Sequence, residues 1–200
     1  MLDLETFGTR GDTAIASIGA VAFDPHGNRV PASGVDVFYA NVDLQSCIDL
    51  GMRVDGSTVA WWMKQSDSAR SGLFSPEPKD INLVLRMFTQ WYKGVTNRGS
   101  FVWSHGATFD VPIITEACLK AKLTSPWQFW SAHDTRTLFD LVGIKLPSAD
   151  TRTGGHNSLA DAIAQAKHVQ LCMSKLLIKP GLDITVEVPE ENLTPTVMEF

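Results

Sequence analysis

Three runs near the start of the chain have the pattern of β-strands. Polar and apolar residues alternate around Asp3–Glu5 and again over Val35–Val42, and Ala14–Phe23 is apolar and partly β-branched. Alternation at period two is typical of a strand whose faces meet different surroundings. Since the connections are short and Asp24–Asn28 has the composition of a turn, we expect these strands to pair in antiparallel order.

The rest of the chain favours helices separated by two short buried strands. Lys79–Lys93 carries apolar residues at helical spacing, and Ser57 suits the N-cap of a helix that reaches Gln65. This mixture predicts an α/β fold. The other expected elements are a strand over Ser100–Ser104, a helix over Val111–Lys122, a strand over Ser131–His133, a helix from the cap Asp134 to Leu141, a loop over Pro147–Gly155 and a helix over Leu159–Leu177.

Composition limits the class of protein without identifying it. Two hundred residues, 44% of them hydrophobic, suit one domain, which we expect over residues 1–178, followed by an acidic tail over 179–200. The net charge of −5 argues against binding nucleic acid through bulk positive charge. Because neither a membrane-spanning run nor a signal peptide is apparent and the three cysteines are widely spaced, we expect a cytoplasmic protein with reduced thiols.

The first strand carries the clearest chemical signal. Asp3 and Glu5 are two residues apart, so their carboxylates point to the same face. Like charges this close repel one another unless a cation lies between them, and carboxylate oxygens suit Mg²⁺ or Mn²⁺. The pair therefore indicates a divalent metal site. Only Met1 and Leu2 precede Asp3, which predicts a strand that is short and weakly anchored at its start.

Two further acidic positions extend this signal. Asp110 follows a short strand where a helix is expected to begin, and Asp161 lies five residues after His156. Taken singly, Asp110 is most simply an N-cap, and Asp161 and His156 are most simply solvated surface residues. Taken together, four carboxylates and one histidine are typical of a hydrolytic site with two metal ions, in which the histidine accepts a proton from water.

The ordered motifs DLETFGT, HGATFDVPII and HNSLADAIAQA resemble those of the DEDDh, or DnaQ-like, superfamily of 3′→5′ exonucleases. The stretch TVAWWMKQSDSAR resembles the exonuclease VIII and RNase T subgroup of phages and bacteria. The resemblance covers about residues 1–175. It implies a ribonuclease-H-like fold, in which a mixed five-stranded sheet has antiparallel first three strands and helices on both faces.

The resemblance also implies a role for each motif residue. Asp3 would bridge two divalent cations, Mg²⁺ or Mn²⁺, and Glu5 would bind one of them and orient the attacking water. Asp161 would hold the same cation as Glu5, and Asp110 the other. His156 would act as the general base.

A further set of residues is expected to contact the substrate. The stretch Thr6–Gly8 matches the family's contacts to the 3′ end, made by main-chain amides and an apolar wedge. Trp61 and Trp62 are adjacent and cannot share a helix face, so we expect one in the core and the other available to stack on a base. The full set is Thr6, Phe7, Gly8, Trp61, Trp62, Gln65 and Phe109. The alternative for Gln65 is a place on a solvated helix face, and the alternative for Phe109 is a place in the core.

These expectations combine into an enzyme that hydrolyses DNA from its 3′ end, single-stranded or recessed, and releases nucleoside 5′-monophosphates. An RNase T-like exoribonuclease is the alternative, because both DNA-directed and RNA-directed members occur in the subgroup. More distant alternatives are a metallohydrolase of nucleotides and a non-catalytic nucleic-acid-binding protein. The expected partner is a nucleic acid 3′ end in a bacterial or phage-infected cell, and a homodimer is expected by analogy alone.

Overall fold

The computed structural model describes residues 1–148 and 156–176 of the chain. Within them, one five-stranded sheet has the order β3-β2-β1-β4-β5. The β1–β2 and β2–β3 pairs are antiparallel, whereas the β1–β4 and β4–β5 pairs are parallel, which confirms the expected mixed sheet. The strands are β1 (Leu2–Thr6), β2 (Ile15–Val21), β3 (Val37–Asn41), β4 (Val102–Ser104) and β5 (Ala132–Asp134).

Helices cover both faces of this sheet, as expected for a ribonuclease-H-like fold. Helices α1, α4 and α5 bury one face, and α6 and α7 bury the other. No helix in the described ranges combines the length and apolar character needed to cross a membrane. The helices are α1 (Leu44–Asp49), α2 (Gly56–Trp62), α3 (Asp67–Gly72), α4 (Ile81–Val95), α5 (Asp110–Lys120), α6 (Thr135–Val142) and α7 (Ser158–Leu176).

The first strand lies at the centre of the sheet and is not weakly anchored. Leu2 pairs with Ala20 on one side and with Ser104 on the other. The Met1 nitrogen donates to the Val21 carbonyl oxygen at 2.7 Å. The expectation of a loose start to β1 is therefore wrong, because neighbours on both sides hold the strand.

Helix α7 packs closely against the sheet at Gly19 of β2. A Cβ atom on Gly19 would lie 2.1 Å from the Ser158 carbonyl carbon, so only glycine permits this contact. The hydroxyls of Ser17 and Ser158 form a hydrogen bond of 2.9 Å beside it. Since Gly19 is paired with Asp3 in the sheet, this contact brings the first turn of α7, with Asp161, next to Asp3.

Several predicted boundaries change by a few residues, and one predicted cap is wrong. Helix α2 begins at Gly56, and Asp55 rather than Ser57 occupies its N-cap position. The Asp55 side chain makes no cap hydrogen bond, and its carboxylate instead accepts from the Thr9 amide at 3.4 Å. The Asp134 cap is confirmed, because its carboxylate accepts from the amide three residues later at 3.0 Å. The expected tail at 179–200 and most of the expected loop at 147–155 lie outside the described residues.

Candidate active site

One cavity beside the carboxyl ends of β1 and β4 contains all four predicted acidic side chains and the predicted histidine. We call it the carboxylate cavity, and its volume is about 310 Å³. Parallel strands β1, β4 and β5 end at this edge of the sheet, and α7 closes it from the β1 side. Its polar lining residues are Asp3, Glu5, Asp110, Asp161, His156, His105, Arg136, Gln165 and Ser148.

The carboxylates converge closely enough to share a cation. Asp3, Glu5 and Asp161 each offer one oxygen, and these three atoms lie within 4.8 Å of one another. Asp110 joins them from the first residue of α5, where its side chain is buried. It is not the cap of that helix, because Phe109 occupies the cap position, so the N-cap interpretation of Asp110 is wrong. Such a set of hard oxygen donors is what Mg²⁺ and Mn²⁺ prefer.

Burial makes these charges costly in the absence of a cation. Burial raises the pKa of Asp3 well above its ordinary value, and the nearby carboxylates of Asp110, Glu5 and Asp161 raise it further. The Gln165 amide opposes this shift by donating to Asp3 Oδ1 at 2.7 Å. Burial also raises the pKa of Asp110 to about 7. Buried carboxyl groups whose pKa is raised in this way are stabilised by binding a proton or a metal ion.

His156 lines the cavity and is held in place by its main chain and by its ring. Its main chain adopts the left-handed region with φ of 61°, and its amide donates to Asp161 Oδ2 at 3.1 Å. The next residue, Asn157, accepts from the Ala160 amide at 3.0 Å, so it caps the start of α7. The imidazole packs edge to face against Trp61, with ring centres 5.1 Å apart. The histidine is thereby directed between the carboxylates and the tryptophans.

A second depression, of about 440 Å³, adjoins the carboxylate cavity. The two share Leu4, Glu5 and Phe109 as a common wall. We call the second one the indole groove, because two tryptophans form one of its sides. Its remaining lining residues are Thr6, Gly8, Thr9, Ser57, Thr58, Trp61 and Trp62.

The two tryptophans differ as expected. Trp62 is 3% exposed, and its indole nitrogen donates to the Thr6 carbonyl oxygen at 2.9 Å. Trp61 is 42% exposed and faces the groove. The expectation of one core and one accessible tryptophan is confirmed, while stacking on a base stays a prediction.

The other predicted substrate contacts divide between the groove and the core. Thr6, Gly8 and Phe109 line the groove. Phe7 packs against the core instead, and its amide already donates to the Ala14 carbonyl oxygen at 2.9 Å. Gln65 is not among the lining residues, and its amide donates to the Trp61 carbonyl oxygen. Contact with the substrate remains a prediction for all of these residues.

Sequence reasoning missed four polar residues of the carboxylate cavity, which are Gln165, His105, Arg136 and Ser148. Gln165 is four residues after Asp161 and therefore on the same face of α7, a spacing that would have revealed it. His105 Nδ1 lies 2.9 Å from the Thr135 hydroxyl. Arg136 follows β5, and its position depends on the pairing of β5 with β4, which leaves no signal in the spacing of residues.

The mixed sheet, with an acidic cavity beside the carboxyl ends of its central strands, suits a hydrolytic nuclease. Residues 1–173 match the family described as 3'-5' exoribonuclease Rv2179c-like domain, and the chain belongs to that family. The expected class of 3′→5′ exonuclease, with a nucleic acid as substrate, is thereby confirmed at the level of the family. No curated protein matches the chain.

Proposed function

We propose that this chain is a two-metal-dependent 3′→5′ exoribonuclease of the DEDDh type that releases nucleoside 5′-monophosphates. One observation carries the proposal: oxygens of Asp3, Glu5 and Asp161 lie within 4.8 Å of one another, in a cavity that Asp110 and His156 also line. The order of the three motifs is the one that resembles the DEDDh superfamily.

RNA replaces DNA as the preferred substrate in this proposal. The description of the family names an exoribonuclease, which favours the alternative over the DNA-directed function expected from sequence. The indole groove supports this choice, because Ser57 and Thr58 bring hydroxyl groups to its wall near Glu5. Within the described part of the chain, the Thr58 hydroxyl has no hydrogen-bond partner. A ribose 2′-hydroxyl, which both donates and accepts, distinguishes RNA from DNA and suits such a partner.

The residues present fit a pair of divalent cations. Asp3, Glu5 and Asp161 would hold one cation, and Asp110 together with Asp3 the other. The raised pKa values of Asp3 and Asp110 are consistent with carboxylates arranged to receive positive charge. When bound, the cations would lower the pKa of a water molecule and offset charge on the phosphate and the leaving oxygen.

The chain's own residues would orient the reacting groups. The exposed ring of Trp61 is available to stack on the 3′-terminal base, so that the phosphate preceding that nucleotide reaches Glu5. An imidazole nitrogen of His156 accepts a proton as water attacks phosphorus. The bond from phosphorus to the 3′ oxygen of the preceding nucleotide breaks, and a nucleoside 5′-monophosphate leaves.

Matched RNA and DNA oligonucleotides test this proposal. Each is labelled at its 5′ end and incubated with Mg²⁺, with Mn²⁺ or with chelator. We expect a ladder that shortens from the 3′ end, faster for RNA and absent with chelator. The Asp161→Asn variant should give no ladder, whereas Asp140→Asn, which alters an exposed residue of α6, should match the parent.

Each other outcome points to a different function. Faster shortening of DNA would restore the DNA-directed alternative. Hydrolysis of free nucleotides but of neither oligonucleotide would indicate a nucleotide metallohydrolase. Binding of oligonucleotides without hydrolysis under any metal condition would indicate a non-catalytic nucleic-acid-binding protein. Each of these three results would overturn the proposed function.

A further inference from the structure

Arg136 is an exposed residue in the first turn of α6 whose side chain reaches the carboxylate cavity. It is the one lysine or arginine among the described residues that line this cavity. Burial raises the pKa of Asp110, and the positive charge of Arg136 partly opposes that rise. Hydrogen bonds from main-chain amides lower the pKa of Asp134, and the charge of Arg136 adds to this effect. An arginine in this position faces the same space as the proposed substrate phosphate.

The Arg136 guanidinium packs against the main chain at Gly106 and is not paired with an acid of the described residues. Within residues 1–148 and 156–176, Arg136 forms no ion pair with a carboxylate. Its Cζ and Nη1 atoms would lie 3.3 Å from a Cβ atom on Gly106, a residue whose φ of 113° also favours glycine. Gly106 therefore provides a flat surface for the guanidinium, and the planar N–H groups of arginine match a phosphate particularly well.

The arrangement of the two depressions gives the substrate a direction. The indole groove lies on one side of Glu5 and Phe109, and Arg136 lines the cavity on the other side of them. With the 3′-terminal nucleoside in the groove, the scissile phosphate lies at the carboxylates. The rest of the strand must then leave past Asp110 and Arg136, where its next phosphate would arrive.

On the basis of the proposed function, we propose that Arg136 binds the phosphate on the 5′ side of the scissile one. The proposal assigns Arg136 to substrate affinity and strand direction and leaves the hydrolytic step to the carboxylates and His156. It predicts that the contribution of Arg136 depends on whether the substrate carries that second phosphate.

Two dinucleotides isolate this contact. A ribodinucleotide with a 5′-hydroxyl contains the scissile phosphate alone, and the same dinucleotide with a 5′-phosphate contains both. For Arg136→Gln we expect the KM of the 5′-phosphorylated substrate to rise by about tenfold to a hundredfold, with kcat within about twofold, since one charge-assisted hydrogen-bonded contact is lost. The KM of the 5′-hydroxyl substrate should not change. Arg136→Lys should restore part of the affinity, and Arg86→Gln, on an exposed site of α4, should match the parent on both substrates.

A ribotrinucleotide whose 5′ linkage is an uncharged methylphosphonate, compared with the ordinary trinucleotide, repeats the test without a mutation of the protein. In the parent the methylphosphonate should raise KM as Arg136→Gln does, and in Arg136→Gln it should add nothing further. Equal losses on both dinucleotides would overturn the proposal in favour of a contact to the scissile phosphate. No loss on either would overturn it in favour of a surface arginine without a role. Hydrolysis of neither substrate by the parent would instead contradict the proposed function.

Discussion

The carboxylate cavity and the indole groove share a wall, but the interactions among their side chains are repulsive in the cavity and attractive in the groove. In the cavity, acidic groups that repel one another are buried where β1, α5 and α7 meet, and the pKa of Asp3 is raised accordingly. In the groove, the buried ring of Trp62 packs against Ala16, and its indole nitrogen is satisfied by the Thr6 carbonyl oxygen. Burial on folding therefore destabilises the charged side chains of the cavity and stabilises the tryptophan side of the groove.

This difference predicts how substitutions divide between the two regions. A change to one of the buried acids of the cavity should affect the rate of hydrolysis and leave the fold intact or more stable, because the negative charges of these acids are a cost to folding. A change in the groove should affect substrate affinity. His156 is the exception that links them, since it lies between Asp161 and Trp61.

The largest effect is expected for Asp3→Asn. The amide keeps the shape of the carboxylate but removes its charge, and the charges of Asp110, Glu5 and Asp161 all act on Asp3. We expect metal-dependent hydrolysis of an RNA oligonucleotide to fall below detection, while the melting temperature does not fall. Near-parental activity in a folded Asp3→Asn protein would reject the cavity as the site of hydrolysis.

His156→Ala should have the next largest effect. If its imidazole accepts the proton from water, kcat should fall by about 10²–10⁴-fold with little change in KM. His26→Ala, at an exposed turn, is the matched control and should leave both constants unchanged. A fall in kcat of less than about tenfold would reduce His156 to a positioning role.

Trp61→Ala tests the groove side of the comparison. Loss of one stacked base contact, worth about 1–3 kcal/mol, should raise the KM for RNA by roughly 5-fold to 150-fold. Trp130→Ala removes a ring that is 63% exposed outside both depressions and should change neither constant. If kcat falls as far as KM rises, the edge-to-face contact with His156 is needed for proton transfer, and the two regions are not separable.

The smallest effect concerns the stability of the metal-free chain. Burial raises the pKa of Asp110 to about 7, so its contribution to stability is fully present below the ordinary pKa and is lost as pH rises through about 7. In chelator, the melting temperature of the parent should therefore fall between about pH 5 and about pH 8. Asp110→Asn carries no charge and should melt about 2–4 °C higher than the parent at about pH 8. A lower melting temperature for this variant would show that the Asp110 charge is not a cost to folding.

The sequence predicts which side chains lie together better than it predicts the packing that brings them together. Asp3, Glu5, Asp110, His156 and Asp161 follow from motif order and spacing, and the structure brings all five to one cavity. The expected strands and longer helices also appear within a few residues, because their apolar patterns are local. Helices α1 and α3 were missed, since six residues are too few to show helical periodicity.

The structural features that the sequence does not predict depend on contacts between distant parts of the chain. Nothing local indicates that Gly19 must meet the first turn of α7, where Ser17 and Ser158 join across 141 residues of chain. The Ser57 cap fails because the helix begins before Ser57, at Gly56, with Asp55 in the cap position and its carboxylate accepting from the Thr9 amide. Features of this kind depend on which segments pack together, and only the folded chain reveals them.

Titration with Mn²⁺ tests the central claim most directly, because it measures cation binding without relying on turnover. Calorimetry in the presence of a nucleoside 5′-monophosphate should show two Mn²⁺ ions per chain for the parent and for Asp140→Asn. Asp3→Asn should bind at most one, since Asp3 faces every other acid of the cavity. Absence of Mn²⁺ binding by the parent, or full binding by Asp3→Asn, would contradict the assignment of these carboxylates to a two-metal site.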